Sequence, residues 1–182
     1  MASGRDHDRA TVLTSLPFGL VLWPLLGTNA AVLGTTAFLI GGLWLSPDLD
    51  TRSRPMRRWG PLRLIWWPYR QIIPHRSLFS HGPLIGMALR LLWLLGMIAL
   101  AWMVLRSLPM VQLPSLQRLS VELLNRVTEQ PKMVLVALLG LECSVWLHLL
   151  LDGDPLPVEW HRLRRTKSRH SRQRRSRSKR RQ

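Results

Sequence analysis

Between Thr11 and Leu45 the chain runs 35 residues without a charged side chain, and no other feature constrains its fold so strongly. Gly82 to Leu105 holds one charge, Arg90, and Met133 to Leu151 holds one, Glu142. A helix needs about 20 such residues to cross a hydrocarbon core of about 30 Å. As one helix the first run would reach about 52 Å, too long for that core. Gly27-Thr28-Asn29, near its middle, is a turn signal that divides it. The chain therefore reads as all-α, a polytopic membrane protein with four spans at about 10–27, 29–46, 83–106 and 132–152. Pro17 and Pro24 should bend the first, while Pro83 and Pro131 stand where a first helical turn accepts proline. Arg5 and Arg9 precede the first run as in a signal peptide. Thr28-Asn29-Ala30 is a poor cleavage site, however, and a second span follows at once, so an uncleaved span is expected.

The charge distribution orients these spans. Of 26 Lys and Arg, 12 fall from Arg162 onward, where there is no acidic residue and nothing apolar after Leu163. Residues 1–161 thus read as the membrane domain and 162–182 as an Arg/Ser-rich tail that cannot bury a core and is disordered alone. Beside a span, such a tail attracts anionic lipid headgroups. No folded nucleic-acid module accompanies it, so nucleic acid is not the expected partner. Arg52, Arg54, Arg57, Arg58, Arg63, Arg70 and Arg76 crowd the 51–76 connection. Lys/Arg bias puts that connection and both termini in the cytoplasm, of a bacterial inner membrane or a thylakoid membrane. The 28–29 turn and the 107–131 loop fall on the other side. Pro61–Ile73 interleaves Arg63 and Arg70 with large apolar residues and should lie in the membrane interface. Trp44, Trp59, Trp66, Trp67 and Trp160 mark the same boundary.

This topology brings scattered polar residues to one face. His7 and Asp8 precede the first span, Asp48 and Asp50 follow the second, His75 and His81 precede the third, and His148 and Asp152 end the fourth. The single cysteine, Cys143, excludes an internal disulfide and thiolate zinc sites. Nitrogen and oxygen donors converging from several segments suit a divalent ion, and a mixed His and carboxylate set accepts Zn, Mn or Fe. The candidate ligands are His7, Asp48, Asp50, His75, His81, His148 and Asp152. They exceed what one ion needs, so one or two ions are expected. His148 and Asp152, four apart, share a helical face. Asp48, Asp50 and Asp152 follow helix C-termini, where the dipole disfavours a carboxylate by about 0.3–1 kcal/mol and a cation would relieve it.

Each piece alone has a plainer reading. The aspartates could be solvated, the histidines interfacial anchors, and His7 part of a frayed end, although Ser3 and Asp6 have the spacing of a capped helix start. Arg76 could orient a carboxylate, bind a phosphate or simply mark the cytoplasmic side. Glu142, inside a span, is expected to be protonated or paired with a neighbouring helix, for instance through Arg90.

At these residues the chain resembles a family of metal-binding membrane proteins of unknown function found mainly in cyanobacteria. The resemblance rests on Ser3-Gly4-Arg5-Asp6-His7-Asp8, Ser46-Pro47-Asp48-Leu49-Asp50, His75-Arg76-Ser77-Leu78-Phe79-Ser80-His81-Gly82-Pro83, and the pair His148 and Asp152. It covers residues 3 to about 155. Ser46 replaces a glycine of the family pattern, and the arginine tail lies outside it. A looser likeness to bacterial inner-membrane metal-dependent hydrolases implies hydrolytic chemistry. The expectation is a metal-dependent hydrolase at the cytoplasmic surface, with Asp8 or Asp50 as general base and a lipid-like amphiphile as substrate. The alternative is a non-catalytic metal-binding scaffold whose tail contacts lipid or a partner.

Overall fold

The computed structural model describes residues 3–75, 77–110 and 112–153. Arg76, Trp160 and the 162–182 tail lie outside the described residues. Helix α1, Gly4–Leu26, starts earlier than the first apolar run because Ser3 caps it. The Ser3 hydroxyl accepts from Asp6 N–H, and the Asp6 carboxylate accepts from Ser3 N–H at 3.0 Å. His7 and Asp8 therefore sit on the first two turns of a rigid helix rather than on an approach to it. Gly27 alone joins α1 to α2, Thr28–Leu43, with φ at 85°, a conformation glycine adopts at little cost.

Helix α2 does not reach residue 46. A separate 3-10 turn, Pro47–Asp50, follows it and carries both aspartates. The dipole argument made for Asp48 and Asp50 from sequence thus fails, while it holds for Asp152, the last residue of α8. A layer of short elements then crosses the helix ends: α3 Arg54–Arg58, a 3-10 helix Gly60–Trp66, α4 Trp67–Ile72 and α5 Leu78–His81. The chain continues through α6 Ile85–Arg106, α7 Leu116–Glu129 and α8 Pro131–Asp152. Among the described residues there is no strand. Four helices, α1, α2 with its 3-10 extension, α6 and α8, are long and apolar enough to cross a membrane.

Three local expectations are corrected. The 107–131 segment, read as a loop, contains α7. Ser115 caps it by accepting from Arg118 N–H at 3.2 Å, and Leu116, Leu119, Leu123 and Val127 recur at helical spacing. Its apolar stripe is narrow, so no long apolar run announced it. Glu142 does not pair with Arg90. Its carboxylate accepts from Leu84 N–H at 2.8 Å, satisfying a donor left over at the start of α6. Leu84 occupies a γ-turn, φ 60° and ψ −59°, closed by Ile85 N–H donating to Pro83 C=O at 2.7 Å. Pro83 therefore lies ahead of α6 rather than in its first turn. Arg90 is wholly buried, and its Nε donates to Gly86 C=O at 3.0 Å.

Small residues let the long helices approach. On α8 every fourth residue from Val136 is buried: Val136, Gly140, Ser144 and His148. On α1 the buried row is His7, Thr11, Ser15, Gly19 and then Leu22. Between them α2 presents Ala30, Ala31, Gly34, Ala37, Phe38 and Gly41. A Cβ at Gly140 would stand 2.5 Å from Gly34 C=O and 3.0 Å from the Ala37 Cβ, so α2 and α8 touch backbone to backbone there. This is the small-residue packing by which apolar helices associate without a hydrophobic drive. The row on α1 begins at His7 and the row on α8 ends at His148.

Beneath the short elements lies the larger core, formed by Leu45, Leu49, Met56, Trp66, Tyr69, Met87, Val145 and Leu149. Trp66 and Tyr69, from the stretch read as interfacial, face inward, while Leu62, Leu64, Trp67 and Ile72 remain exposed. Edge-on aromatic contacts run from Trp59 through Trp66 and Tyr69 to Trp93, with ring centroids 5.3, 5.6 and 5.7 Å apart. They fix α6 to the layer, helped by Trp93 Nε1–H donating to Ile65 C=O at 2.9 Å.

Gly140→Val should overpack the α2–α8 seam, cost about 1–3 kcal/mol and lower the melting temperature in detergent. Gly96→Ala is the control, because a Cβ at Gly96 meets nothing within 4 Å. Equal melting temperatures for the two variants would show that the seam is not closed.

Candidate metal centre

The layer of short elements brings seven side chains into an alternating series of histidine and aspartate. His7 Nε2 lies 3.2 Å from Asp152 Oδ1, and Asp152 Oδ2 lies 3.6 Å from His148 Nε2. His148 Nε2 is 3.7 Å from Asp48 Oδ1, which is 3.8 Å from His81 Nε2. His81 Nδ1 is 3.7 Å from Asp50 Oδ2, and Asp50 Oδ1 is 2.9 Å from His75 Nδ1. The donors fall into three overlapping groups, each with its ligand atoms within 4.8 Å of one another: His7, His148 and Asp152; Asp48, His81 and His148; Asp50, His75 and His81. Every candidate ligand read from the sequence is in the series.

The distances discriminate between hydrogen bonds and shared coordination. Separations of 3.6–3.8 Å around Asp48 and His148 are too long for hydrogen bonds. Two ligands each about 2.1 Å from a tetrahedral ion stand about 3.4 Å apart. Burial points the same way. His148 Nε2, Asp50 Oδ2 and His7 Nδ1 are buried without a hydrogen-bond partner among the described residues. An orphaned buried acceptor costs about 1–3 kcal/mol, and a cation beside Asp48 would satisfy His148 Nε2 together with its neighbours. The residues present therefore fit a divalent ion.

Serines set the imidazole orientations. Ser80 Oγ lies 3.2 Å from Pro74 C=O and 2.9 Å from His81 Nδ1; with its proton on Pro74 C=O it accepts from His81 Nδ1–H. That tautomer aims the His81 Nε2 lone pair at Asp48. Ser46 Oγ stands 3.5 Å behind His148 Nδ1. Such hydrogen bonds behind metal-binding histidines fix ring orientation and basicity. His7 stacks on His148 with ring centroids 4.1 Å apart. Sequence reading missed both serines as positioning groups, although each stands within the motifs that carry the family resemblance.

The centre opens on one side. The Asp48 side chain is 26 % exposed, against 5–11 % for His148, His81, His7 and Asp152. A cavity of about 380 Å³ borders Asp48, His7 and Ser46. Asp8, the other carboxylate offered as a base, stands apart from the series and takes Arg54 Nε at 3.1 Å and Arg58 Nη2 at 2.6 Å. Below Asp50, the Tyr69 hydroxyl and both terminal nitrogens of Arg90 are buried without partners among the described residues. Burial raises the Tyr69 phenol above its ordinary pKa, against the opposing pull of Arg90.

A helical bundle with buried imidazoles and carboxylates gathered at its helix ends is a metal-binding protein by the chemistry of its donors. The chain belongs to the family described as uncharacterized metal-binding protein (DUF2227), whose profile matches residues 2–164. It is also similar to an uncharacterized protein of Aquifex aeolicus (strain VF5), 38% identical over 58 residues. That match spans 31% of this chain and 40% of the relative. No solved structure matches the chain.

Ser80→Ala should weaken metal affinity by about 10–100-fold, as loss of a hydrogen bond behind a ligand does, without changing helical content. Competition with a chromogenic chelator reads the affinity. Wild-type affinity in this variant would mean that His81 is not a ligand.

Proposed function

We propose that the protein is an integral membrane, metal-dependent hydrolase whose centre lies at the cytoplasmic ends of its helices. The carrying observation is the convergence of Asp48, His81 and His148 on one partly open point beside a cavity, with Asp152 joined to it through His148. One ion is the reading the tautomers favour. His81 Nδ1 is engaged by Ser80, so His81 offers Nε2 to the Asp48 group and has no second nitrogen free for Asp50 and His75. His7 flanks the ion through Asp152. Zinc, manganese or iron suits this donor set.

A divalent ion held there supplies Lewis acidity, polarising an ester or phosphoester oxygen and making water a better nucleophile. The chain supplies the rest. Asp50, its side chain fully buried, accepts from His75 Nδ1–H and so turns His75 Nε2 toward solvent, because the His75 side chain is 44 % exposed. In this reading the pair moves protons, with Asp50 orienting and His75 exchanging them. Asp8 anchors Arg54 and Arg58 instead. The exposed apolar faces of the four long helices support membrane insertion, and the arginines of the 51–76 connection support the cytoplasmic placement. Helix α7, amphipathic and without a buried residue, would lie along the opposite interface. The 12 Lys and Arg of the tail would hold anionic headgroups.

Elemental analysis of the detergent-purified chain should give one ion per chain, and Asp48→Asn and His148→Ala should each lose most of it. His75→Gln should keep the metal and lower hydrolysis of a chromogenic ester or phosphoester about 100-fold or more, the range of a lost acid–base group. Metal-free wild-type protein would sink the proposal, and metal-loaded protein without hydrolysis of either substrate class would leave a binding protein only.

Orientation is tested on Cys143→Ser protein carrying single cysteines at Thr28 and at Ser178. A membrane-impermeant thiol reagent added outside intact cells should label position 28 and spare position 178. Labelling of both from the same side would rule out four spans.

A further inference from the structure

Arginines gather beside the metal centre more tightly than topology requires. Arg5, Arg54, Arg57 and Arg58 line one cavity of about 420 Å³. Three of them, Arg5, Arg54 and Arg57, also line the cavity that borders His7 and Asp48. The guanidinium groups and the candidate ligands thus face shared space. Arginines that only mark the cytoplasmic side would spread into water and headgroups, since like charges repel and nothing would hold them together.

Here the scaffold holds them. Asp8 ties Arg54 and Arg58 through one oxygen, and Arg58 also donates to Leu43 C=O at 2.8 Å. The Arg54 stem lies against Gly4, where an added Cβ would stand 3.3 Å from its Cδ. Arg5 and Arg57 have no ion-pair partner among the described residues. Asp8 neutralises part of the charge of Arg54 and Arg58 and leaves Arg5 and Arg57 unmatched among the described residues, so the cavity carries a surplus of positive charge next to a candidate cation site.

We propose that this cavity binds the phosphate group of a phosphate ester, with Arg5 and Arg57 as its principal ligands and Arg54 as a third donor. Guanidinium forks match phosphate oxygens two at a time, and several of them around one pocket suit a multiply charged anion better than a single carboxylate. The adjoining cavity, which shares Arg5, Arg54 and Arg57 and borders His7 and Asp48, places such a group within the metal centre's surroundings. The assignment rests on the hydrolase reading only for its consequence, that the substrate is a phosphoester; the binding site stands on the arginines.

The test is calorimetric titration of inorganic phosphate into the detergent-purified, metal-loaded full chain at about 0.15 M salt, which screens loose attraction to the basic tail. Arg5→Gln combined with Arg57→Gln should weaken phosphate binding about tenfold or more, the scale of two lost charge-assisted contacts, while metal content stays at the wild-type value. Arg9→Gln, exposed on α1 and outside both cavities, should bind phosphate as the wild type does. Glycerol phosphate in solution and phosphatidate in phosphatidylcholine nanodiscs then compete against inorganic phosphate. The stronger competitor identifies a soluble or a lipid source, and either result supports the site. Wild-type phosphate affinity in the double variant, or competition by neither ester, overturns it. A wild-type chain that purifies without metal would instead overturn the hydrolase reading, so the two failures are separable.

Discussion

Everything at the helix ends depends on how closely the backbones of α1, α2 and α8 approach. Gly140 brings the α8 backbone against α2 at Gly34, Gly41 makes room for the small Ser144 hydroxyl of α8, and Gly42 makes room for Thr11 of α1. Packing at that distance sets the rotation of each helix about its axis. Because Val136, Gly140, Ser144 and His148 are spaced by four, the rotation that seats the glycine also turns His148 inward. On α1 the row from Gly19 back to His7 does the same. His7 and His148 are thus turned inward by the apolar seam, before any contact of their own sets the orientation of their rings.

The cost of that aim is electrostatic. Imidazoles and carboxylates removed from water must find partners, and partial charges here are arranged to supply them in alternation. Asp152 stands between His7 and His148, Asp48 between His148 and His81, and Asp50 between His81 and His75. Serines take up the outward nitrogens of His81 and His148. What this leaves over at the Asp48 group, an unpartnered His148 Nε2 among the described residues, is the kind of deficit a bound cation fills. The γ-turn at Leu84, held by Glu142 from α8, stores backbone strain three residues after His81, as is common next to a ligand.

Charge sorts the two sides of the centre. Carboxylates gather on the 3-10 turn and at the end of α8, while arginines gather on α3 and at the start of α1. Asp8 belongs to the arginine side, which its neighbour His7 does not, because adjacent residues on a helix point about 100° apart. Two adjacent residues of one motif therefore serve different parts of the site.

The sequence by itself determined the number of long helices, since uncharged length is a direct measure of what a helix can bury or span. It also determined which end of the bundle holds the polar motifs, because arginine bias and motif positions are both written along the chain. Only the tertiary structure decided the rest. That His81 and His148 share Asp48, while Asp50 is drawn to His75, follows from turns of the short helices that no periodicity encodes. The separate 3-10 turn at Pro47, the helix over Leu116–Glu129 and the Glu142 contact to Leu84 depend on local hydrogen bonds that become worthwhile only once neighbouring helices are in place. The arginines show the difference most plainly. In sequence Arg5, Arg54 and Arg57 are a charge bias, and they become the wall of a cavity beside the metal centre only because α1 and α3 fold against each other.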